Sequence, residues 1–265
     1  MRVTVLASGS SGNATLFESD RTSILVDGGI GPRVLEHALS AIGARLPDAI
    51  VVTHAHLDHV GHAARIGRRR NVPVYLTEAT SREVRLPGDV EEYRFGTRDP
   101  FVIGDLVVAP LPVPHDAANV ALSISDDAGT ATIATDVGEP TGRLSDHLRD
   151  SDIVLLESNH DHEMLRSGPY PLHLQRRVAS ARGHLSNLQA CAVLRKLSAR
   201  THTVVLMHLS GANNTPTLAA EQAREALPLR VALHVAPARG SLTLETTLEH
   251  EKARSRRPVQ LSLLG

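Results

Sequence analysis

Short apolar runs separated by Gly, Ser and Asn turns open the chain, and Arg2 to Ala7, Ala14 to Glu18 and Ser23 to Asp27 read as three strands joined in two hairpins. After Gly31 and Pro32 the period changes. Val34, Leu35, Ala38, Leu39 and Ile42 share one helical face that Gly43 closes, and Ala49 to Thr53 then reads as a buried strand. A helix over 59–70, ending in Arg68, Arg69 and Arg70, leads to a strand from Val72 to Leu76. Further strands are expected near 101–113, 119–125, 130–135, 152–156 and 203–207, and closing strands at 230–236 and 241–248. Helices are expected near 171–181, 186–199 and 215–227, the last with Thr215 as N-cap and Pro216 in the first turn, where a missing N–H costs nothing. With no repeat and no linker, residues 1–248 read as one α/β domain, and residues 249–265, bearing Arg254, Arg256 and Arg257, as a polar, basic and loosely held tail.

Composition narrows the classes. The 265 residues are 42% hydrophobic, enough for a packed core. A formal net charge of -1 excludes a protein that coats nucleic acid by bulk charge, while leaving room for a local basic patch. The lone cysteine, Cys191, has no internal partner, and the opening residues contain no apolar stretch of signal-peptide or membrane-span length, so a cytoplasmic, non-membrane protein is expected. Histidine is the unusual count, at 15. Only its spacing can separate chance from chemistry.

That spacing is sharpest in Thr53-His54-Ala55-His56-Leu57-Asp58-His59, directly after a buried strand. Alternation in an extended segment points His54 and His56 the same way, towards one ion, while a turn into a helix re-aims Asp58 and His59 at a second. Three imidazoles and a carboxylate suit zinc, or manganese or iron as the carboxylate share rises.

The H-x-H-x-D-H form resembles the metallo-β-lactamase superfamily, which implies an αββα sandwich and further ligands at strand ends. His115, Asp136 and His208 stand at such positions. The resemblance implies that His54, His56 and His115 hold one divalent metal, that Asp58, His59 and His208 hold another, and that Asp136 bridges them. Two such cations lower the pKa of a water and neutralise charge on a transferring oxygen, so hydrolysis is the expected chemistry. His56 occupies the place where diiron oxidoreductases of the superfamily carry Glu, and Pro114-His115-Asp116-Ala117 lacks the Gly-His-Thr of thioesterase branches. The chain is also too short for the branch with an inserted nuclease domain.

Leu6-Ala7-Ser8-Gly9-Ser10-Ser11-Gly12-Asn13, Glu157-Ser158-Asn159-His160-Asp161, the run from Glu163 to Pro171, Gly183-His184-Leu185-Ser186-Asn187, and His208-Leu209-Ser210 with Asn213-Asn214-Thr215-Pro216 are similar to the YycJ/WalJ family. The similarity extends over about residues 1–236. It implies a metal-dependent nuclease acting on DNA, 5′ to 3′, with a link to DNA repair. Asp58 is expected to help hold the nucleophile, and His184 to neutralise or protonate a phosphate oxygen beside the helix that Ser186 caps.

Other groups are less specific. The turn with Ser10, Ser11 and Asn13 can offer donors to a phosphate or simply close a hairpin. Glu157, His160 and Asp161 could orient ligands, and Asp161 could equally cap a helix. Arg166, Arg176, Arg177 and Arg182 form a candidate phosphate-binding stripe, and Asn213 joins the substrate-binding candidates, whereas Arg68 to Arg70 reads as a solvated helix end. The alternatives are a small-molecule cyclic phosphodiesterase or an RNA-processing nuclease of the same superfamily, and a metal- and DNA-binding regulator without catalysis. The regulator predicts a lost ligand, and all seven are present.

Overall fold

In a computed structural model, which describes residues 1–237 and 240–246, two seven-stranded sheets face each other. The elements run β1 Arg2–Ala7, β2 Ala14–Glu18, β3 Ser23–Val26, α1 Pro32–Ala41, β4 Ala49–Val51, α2 Leu57–Val60, α3 Ala63–Arg70, β5 Val74–Thr77, α4 Glu78–Val84 and β6 Glu92–Phe95. They continue with β7 Phe101–Ile103, β8 Leu106–Val113, β9 Asn119–Asp126, β10 Gly129–Ala134, α5 Gly142–Leu148, β11 Ile153–Glu157, α6 His162–Ser167 and α7 Leu172–Val178. The last are α8 Asn187–Leu194, β12 Thr203–Met207, α9 Pro216–Ala226, β13 Ala232–Val235 and β14 Leu242–Glu245. The sheet orders are β14-β1-β2-β3-β4-β5-β6 and β13-β12-β11-β10-β9-β8-β7.

Strand alternation builds three apolar layers. Val3, Phe17, Ile24 and Val26 of the first sheet meet Leu122, Ile124, Ile153, Leu155 and Val205 of the second. Their sequence neighbours turn outwards. Leu16, Leu25 and Ile50 pack under Leu35, Leu39 and Ile66 of α1 and α3, and Val154, Leu156 and Leu206 pack under Leu144, Val193, Leu194 and Ala219. The result is the expected αββα sandwich.

Strand direction places the site. In the first sheet β3 and β4 are parallel, and β1 runs with them because two antiparallel pairings separate it from β3. In the second, β10, β11 and β12 are parallel, and β8 shares their direction for the same reason. The loops after all seven strands therefore leave at the C-terminal edges of their sheets, the edge where open α/β sheets bind ligands.

Several boundaries differ from the sequence pattern. The helix expected over 59–70 is two helices, broken where the His62 N–H donates to the Gly28 carbonyl at 2.8 Å. The strand expected at 101–113 is the β7–β8 hairpin, turned at Gly104 with φ +60°. Elements α4, β6, α5 and α6 were not anticipated. The expected tail 249–265 and the boundary at 248 lie outside the described residues. Phe17 is fully buried between the sheets and Leu229 is 92% exposed. Phe17→Ala is expected to destabilise by about 3–5 kcal/mol, and Leu229→Ala to stay within about 0.5 kcal/mol of the parent, as read from denaturant midpoints.

Candidate metal centre

The loop after β4 carries His54 and His56, and α2 follows at once with Asp58 and His59. The loops after β8, β10 and β12 add His115, Asp136 and His208, and the loop between α7 and α8 adds His184. Ligand atoms of His54, His56, His115 and Asp136 all lie within 4.8 Å of one another, as do those of Asp58, His59 and His208. Asp136 stands between the two sets: Oδ2 is 3.0 Å from His59 Nε2, and Oδ1 is 3.9 Å from His115 Nε2 and 3.8 Å from His208 Nδ1. The structure thus brings together all seven residues singled out as ligands.

Fixed backbone turns achieve this convergence. Asp27, Asp136 and His208 have left-handed φ of 65°, 58° and 53°, each just past a strand. For residues with a Cβ that conformation costs about 1–3 kcal/mol each and persists only where the surroundings impose it. Close backbone contact adds to the constraint. A side chain on Gly29 would run into the Asp58 carbonyl, and the Asn13 N–H donates to that same carbonyl at 2.7 Å.

The histidines are oriented from behind. His59 Nδ1 donates to Asp27 Oδ2 at 2.7 Å, His115 Nδ1 to the Gly183 carbonyl at 3.0 Å, and His208 Nδ1 to Glu157 Oε1 at 3.2 Å. His54 Nδ1 meets Thr53 Oγ1 at 3.0 Å, and Thr53 Oγ1 donates to Asp27 as well. A carboxylate or carbonyl on one imidazole nitrogen fixes the tautomer and leaves Nε2 as a lone-pair donor, which is how protein metal sites prepare their ligands. Among the described residues the buried His54 Nε2 has no hydrogen-bond partner, and Asp136 Oδ2, although 3.0 Å from His59 Nε2, makes no well-aligned hydrogen bond. Orphaned polar atoms at the focus of so many donors fit a bound cation.

Charge supports the same fit. Burial lowers the pKa of His54 and His115, so these imidazoles are neutral. Burial also opposes charge on His59 and His208, yet carboxylates prevail: Asp27 and Asp136 hold His59 well above its usual value, and Asp136, Asp58 and Glu157 push His208 up to about 10. Asp58 and Asp136 are held well below the carboxylate range by adjacent imidazoles, against the penalty of burial. Four carboxylates (Asp27, Asp58, Asp136, Glu157) in one largely buried cluster demand positive charge, which protons or divalent cations can supply.

Glu157 is fully buried and joins separate parts of the site. Oε1 accepts from His184 Nδ1 at 2.8 Å and from His208, while Oε2 accepts from the Val137 and Leu185 N–H groups. Despite burial, His184 and His208 lower its pKa to about 2. Glu157 and Asp136 in turn raise the pKa of His184, which keeps 20% of its side chain exposed. His160 is different: burial drives its pKa down to about 4, and neither ring nitrogen has a hydrogen-bond partner among the described residues. Asp161 caps α6, accepting from the Glu163 and Met164 N–H groups.

The substrate-binding candidates separate. Ser10 and Ser11 are exposed in the turn after β1. Asn13 is buried and ties the Gly9 backbone to Asp58, and Asn213 is fully buried behind Gly168, so neither amide faces a cleft. Arg166 and Arg176 line a groove of about 420 Å³ between α6 and α7, where Arg166 is paired with Glu163. Arg177 turns instead to Asp116, donating from Nε at 2.8 Å, and Arg182 donates to the His115 carbonyl at 3.0 Å.

Three contributors escaped the sequence reading. Asp27 and Thr53 support His59 and His54, and Asp116 Oδ1 lies 3.3 Å from His56 Nε2 and 3.1 Å from His115 Nε2. Asp116 had a visible signal, an acid next to His115. Asp27, 32 residues before its partner, had only its place at a strand end.

Among known proteins, the family model described as a Beta-lactamase superfamily domain matches residues 22–209. Exodeoxyribonuclease WalJ of Streptococcus pneumoniae is 32% identical over 228 residues, spanning 82% of this chain and 85% of that protein. Exodeoxyribonuclease YycJ of Bacillus anthracis is also 32% identical over 228 residues, spanning 83% and 86%. The metallo-beta-lactamase fold protein YhfI from Bacillus subtilis superimposes with a TM-score of 0.72 at 20% identity, covering 92% of this chain and 99% of that one. A diphosphatase of the PhnP family gives 0.65 at 22% identity, covering 94% and 99%; both likenesses concern the fold alone. With the fold, the ligand cluster and these relatives in agreement, the chain belongs to the WalJ/YycJ family of the beta-lactamase superfamily.

Proposed function

We propose that this metal-dependent hydrolase is a nuclease that shortens DNA from the 5′ end, in the cytoplasm and in the service of DNA repair. One observation carries the reading: Asp136 lies within 4 Å of imidazoles from both ligand clusters, His115 of one and His59 of the other, and beside it Glu157 presents the partly exposed imidazole of His184. The two relatives named as exodeoxyribonucleases support DNA as the substrate.

In this reading His54, His56 and His115 would hold one divalent ion, Asp58, His59 and His208 would hold the other, and Asp136 would contribute to both. Zn²⁺ or Mn²⁺ suits a set of imidazoles and carboxylates, with iron as a further option. Such ions supply charge neutralisation for the phosphodiester and a nucleophile from water at neutral pH. Asp27, Thr53 and Glu157 keep the imidazole rings aimed. His184 Nδ1–H is committed to Glu157, which leaves Nε2 to face the substrate. In its protonated form that nitrogen donates a hydrogen bond to a nonbridging oxygen or a proton to the departing oxygen, and Glu157 balances the charge. Arg166 and Arg176 offer guanidinium forks to backbone phosphates, while Arg177 acts through Asp116 on the His56 and His115 side.

The direct test incubates the protein with 5′- and 3′-labelled DNA, labelled RNA and cyclic nucleotides, with Mn²⁺ or Zn²⁺. Release of nucleotides from the 5′ end of DNA is expected, and turnover of cyclic nucleotides alone would refute the proposal. His184→Ala is expected to lower DNA turnover by about 10²–10⁴-fold with metal content retained. Asp27→Asn is expected to weaken metal affinity about 10–100-fold, with activity recovering as Mn²⁺ is raised in a titration. Arg166→Glu with Arg176→Glu is expected to slow DNA turnover and spare bis(p-nitrophenyl)phosphate, a comparison of two steady-state assays.

A further inference from the structure

A second basic surface lies on the other half of the molecule. Gly31 to Val34 at the start of α1 and Arg65, Arg68 and Arg69 on α3 enclose a cleft of about 500 Å³. With Arg33, four arginines line it, and among the described residues no acid does. Nearby carboxylates cancel only part of the charge: Asp89 pairs with Arg68, and Glu36 with Arg69 and Arg70. Counting those seven side chains, five cations face two anions, a local excess of three positive charges on a chain whose net charge is -1. Arg33 and Arg65 make no ion pair among the described residues, and both are exposed. The start of α1 adds to the attraction, since Gly31 supplies no side-chain cap to the first-turn N–H groups, although Pro32 removes one of these donors.

The cleft is tied to the metal centre through the backbone. Its rim residue Gly31 is three peptide links from Gly28, whose N–H donates to the His59 carbonyl at 2.6 Å. That connection places the rim within about 15 Å of the His59 backbone, a span of a few nucleotides in an extended strand. Arg65 lies six residues beyond His59, in the first turn of the following helix α3.

We propose that the arginine cleft between α1 and α3 is a second subsite for the DNA backbone, gripping phosphates a few nucleotides from the scissile bond. The assignment rests on the nuclease reading above and extends it. Arginine forks match phosphate oxygens bidentately and carry no base information, so the cleft holds any sequence. The run Arg68 to Arg70, read from sequence as solvent-facing, gains this role because folding sets it opposite Arg33. A dinucleotide fills the centre without reaching the cleft, whereas a dodecamer engages both.

The test measures binding by fluorescence anisotropy with phosphorothioate oligodeoxynucleotides that resist hydrolysis, using the metal-loaded protein. For Arg33→Glu with Arg65→Glu, a dodecamer is expected to bind at least tenfold more weakly. The slope of log affinity against log salt should fall by about 1.4, or about 0.7 for each lost contact with a single strand. Dinucleotide binding and bis(p-nitrophenyl)phosphate turnover should be unchanged, which also reports an intact fold. Arg33→Lys with Arg65→Lys keeps the charge and should retain most of the dodecamer affinity. Unaltered dodecamer affinity and salt slope in the Glu variant, with the parent binding and degrading DNA, would overturn the cleft alone. A parent that neither binds nor degrades DNA would overturn the nuclease reading and the cleft together. Saturable pyrophosphate binding lost in the Glu variant, with dodecamer affinity intact, would assign the cleft to a free anion and overturn the backbone subsite.

Discussion

Asp136 concentrates the constraints of the site. Its carboxylate is almost completely buried, its backbone adopts a left-handed φ of 58°, and its two oxygens lie within 4 Å of imidazoles of His59, His115, His184 and His208. Burying one carboxylate without a partner is prohibitive, and burying it among oriented imidazoles is tolerable only while their geometry is kept. The loops after β4, β8, β10 and β12 and the loop between α7 and α8 are therefore fixed relative to one another by a shared electrostatic focus. Everything else at the site follows from keeping that focus intact.

The sandwich makes such a focus possible. Apolar packing between Phe17, Ile24, Ile124, Leu155 and their neighbours holds the two sheets face to face, and shared strand direction sends their ligand loops to the C-terminal edges. Rigid strands then position side chains that flexible loops alone could not hold to hydrogen-bond accuracy. Around this base the outer groups divide their work. Asp27, Thr53 and Glu157 act on the imidazoles, whereas the exposed arginines stand where a polyanion can meet them without disturbing the core.

Much of this was legible in the chain because the relevant signals are local. His54 to His59 lie within six residues, and His115, Asp136 and His208 each follow an apolar run that is a strand in the fold. The long strands and the helix begun by Thr215 and Pro216 carry enough residues for a period to show. Elements α4, β6, α5 and α6 have only four to seven residues, too few for that, and β6 shows just one buried position. Hydrogen bonds across long sequence separations were equally hidden. Asp27 meets His59, Glu157 meets His208 and Arg177 meets Asp116 only once the sheets have assembled. The buried positions of Asn13 and Asn213 show the converse, that polar residues in loop-like sequence can serve the fold instead of a ligand, Asn13 holding the Gly9 backbone and Asn213 donating to Ser210 Oγ.

The central claim is that one buried carboxylate organises two cation sites. Its most direct test is the metal content of the purified protein, measured by inductively coupled plasma mass spectrometry beside that of Asp136→Ala, with circular dichroism to verify folding. The account predicts two divalent ions per chain in the parent and loss of both in the folded variant. Two ions retained in Asp136→Ala, or a folded parent that binds none when Zn²⁺ or Mn²⁺ is supplied, would contradict it.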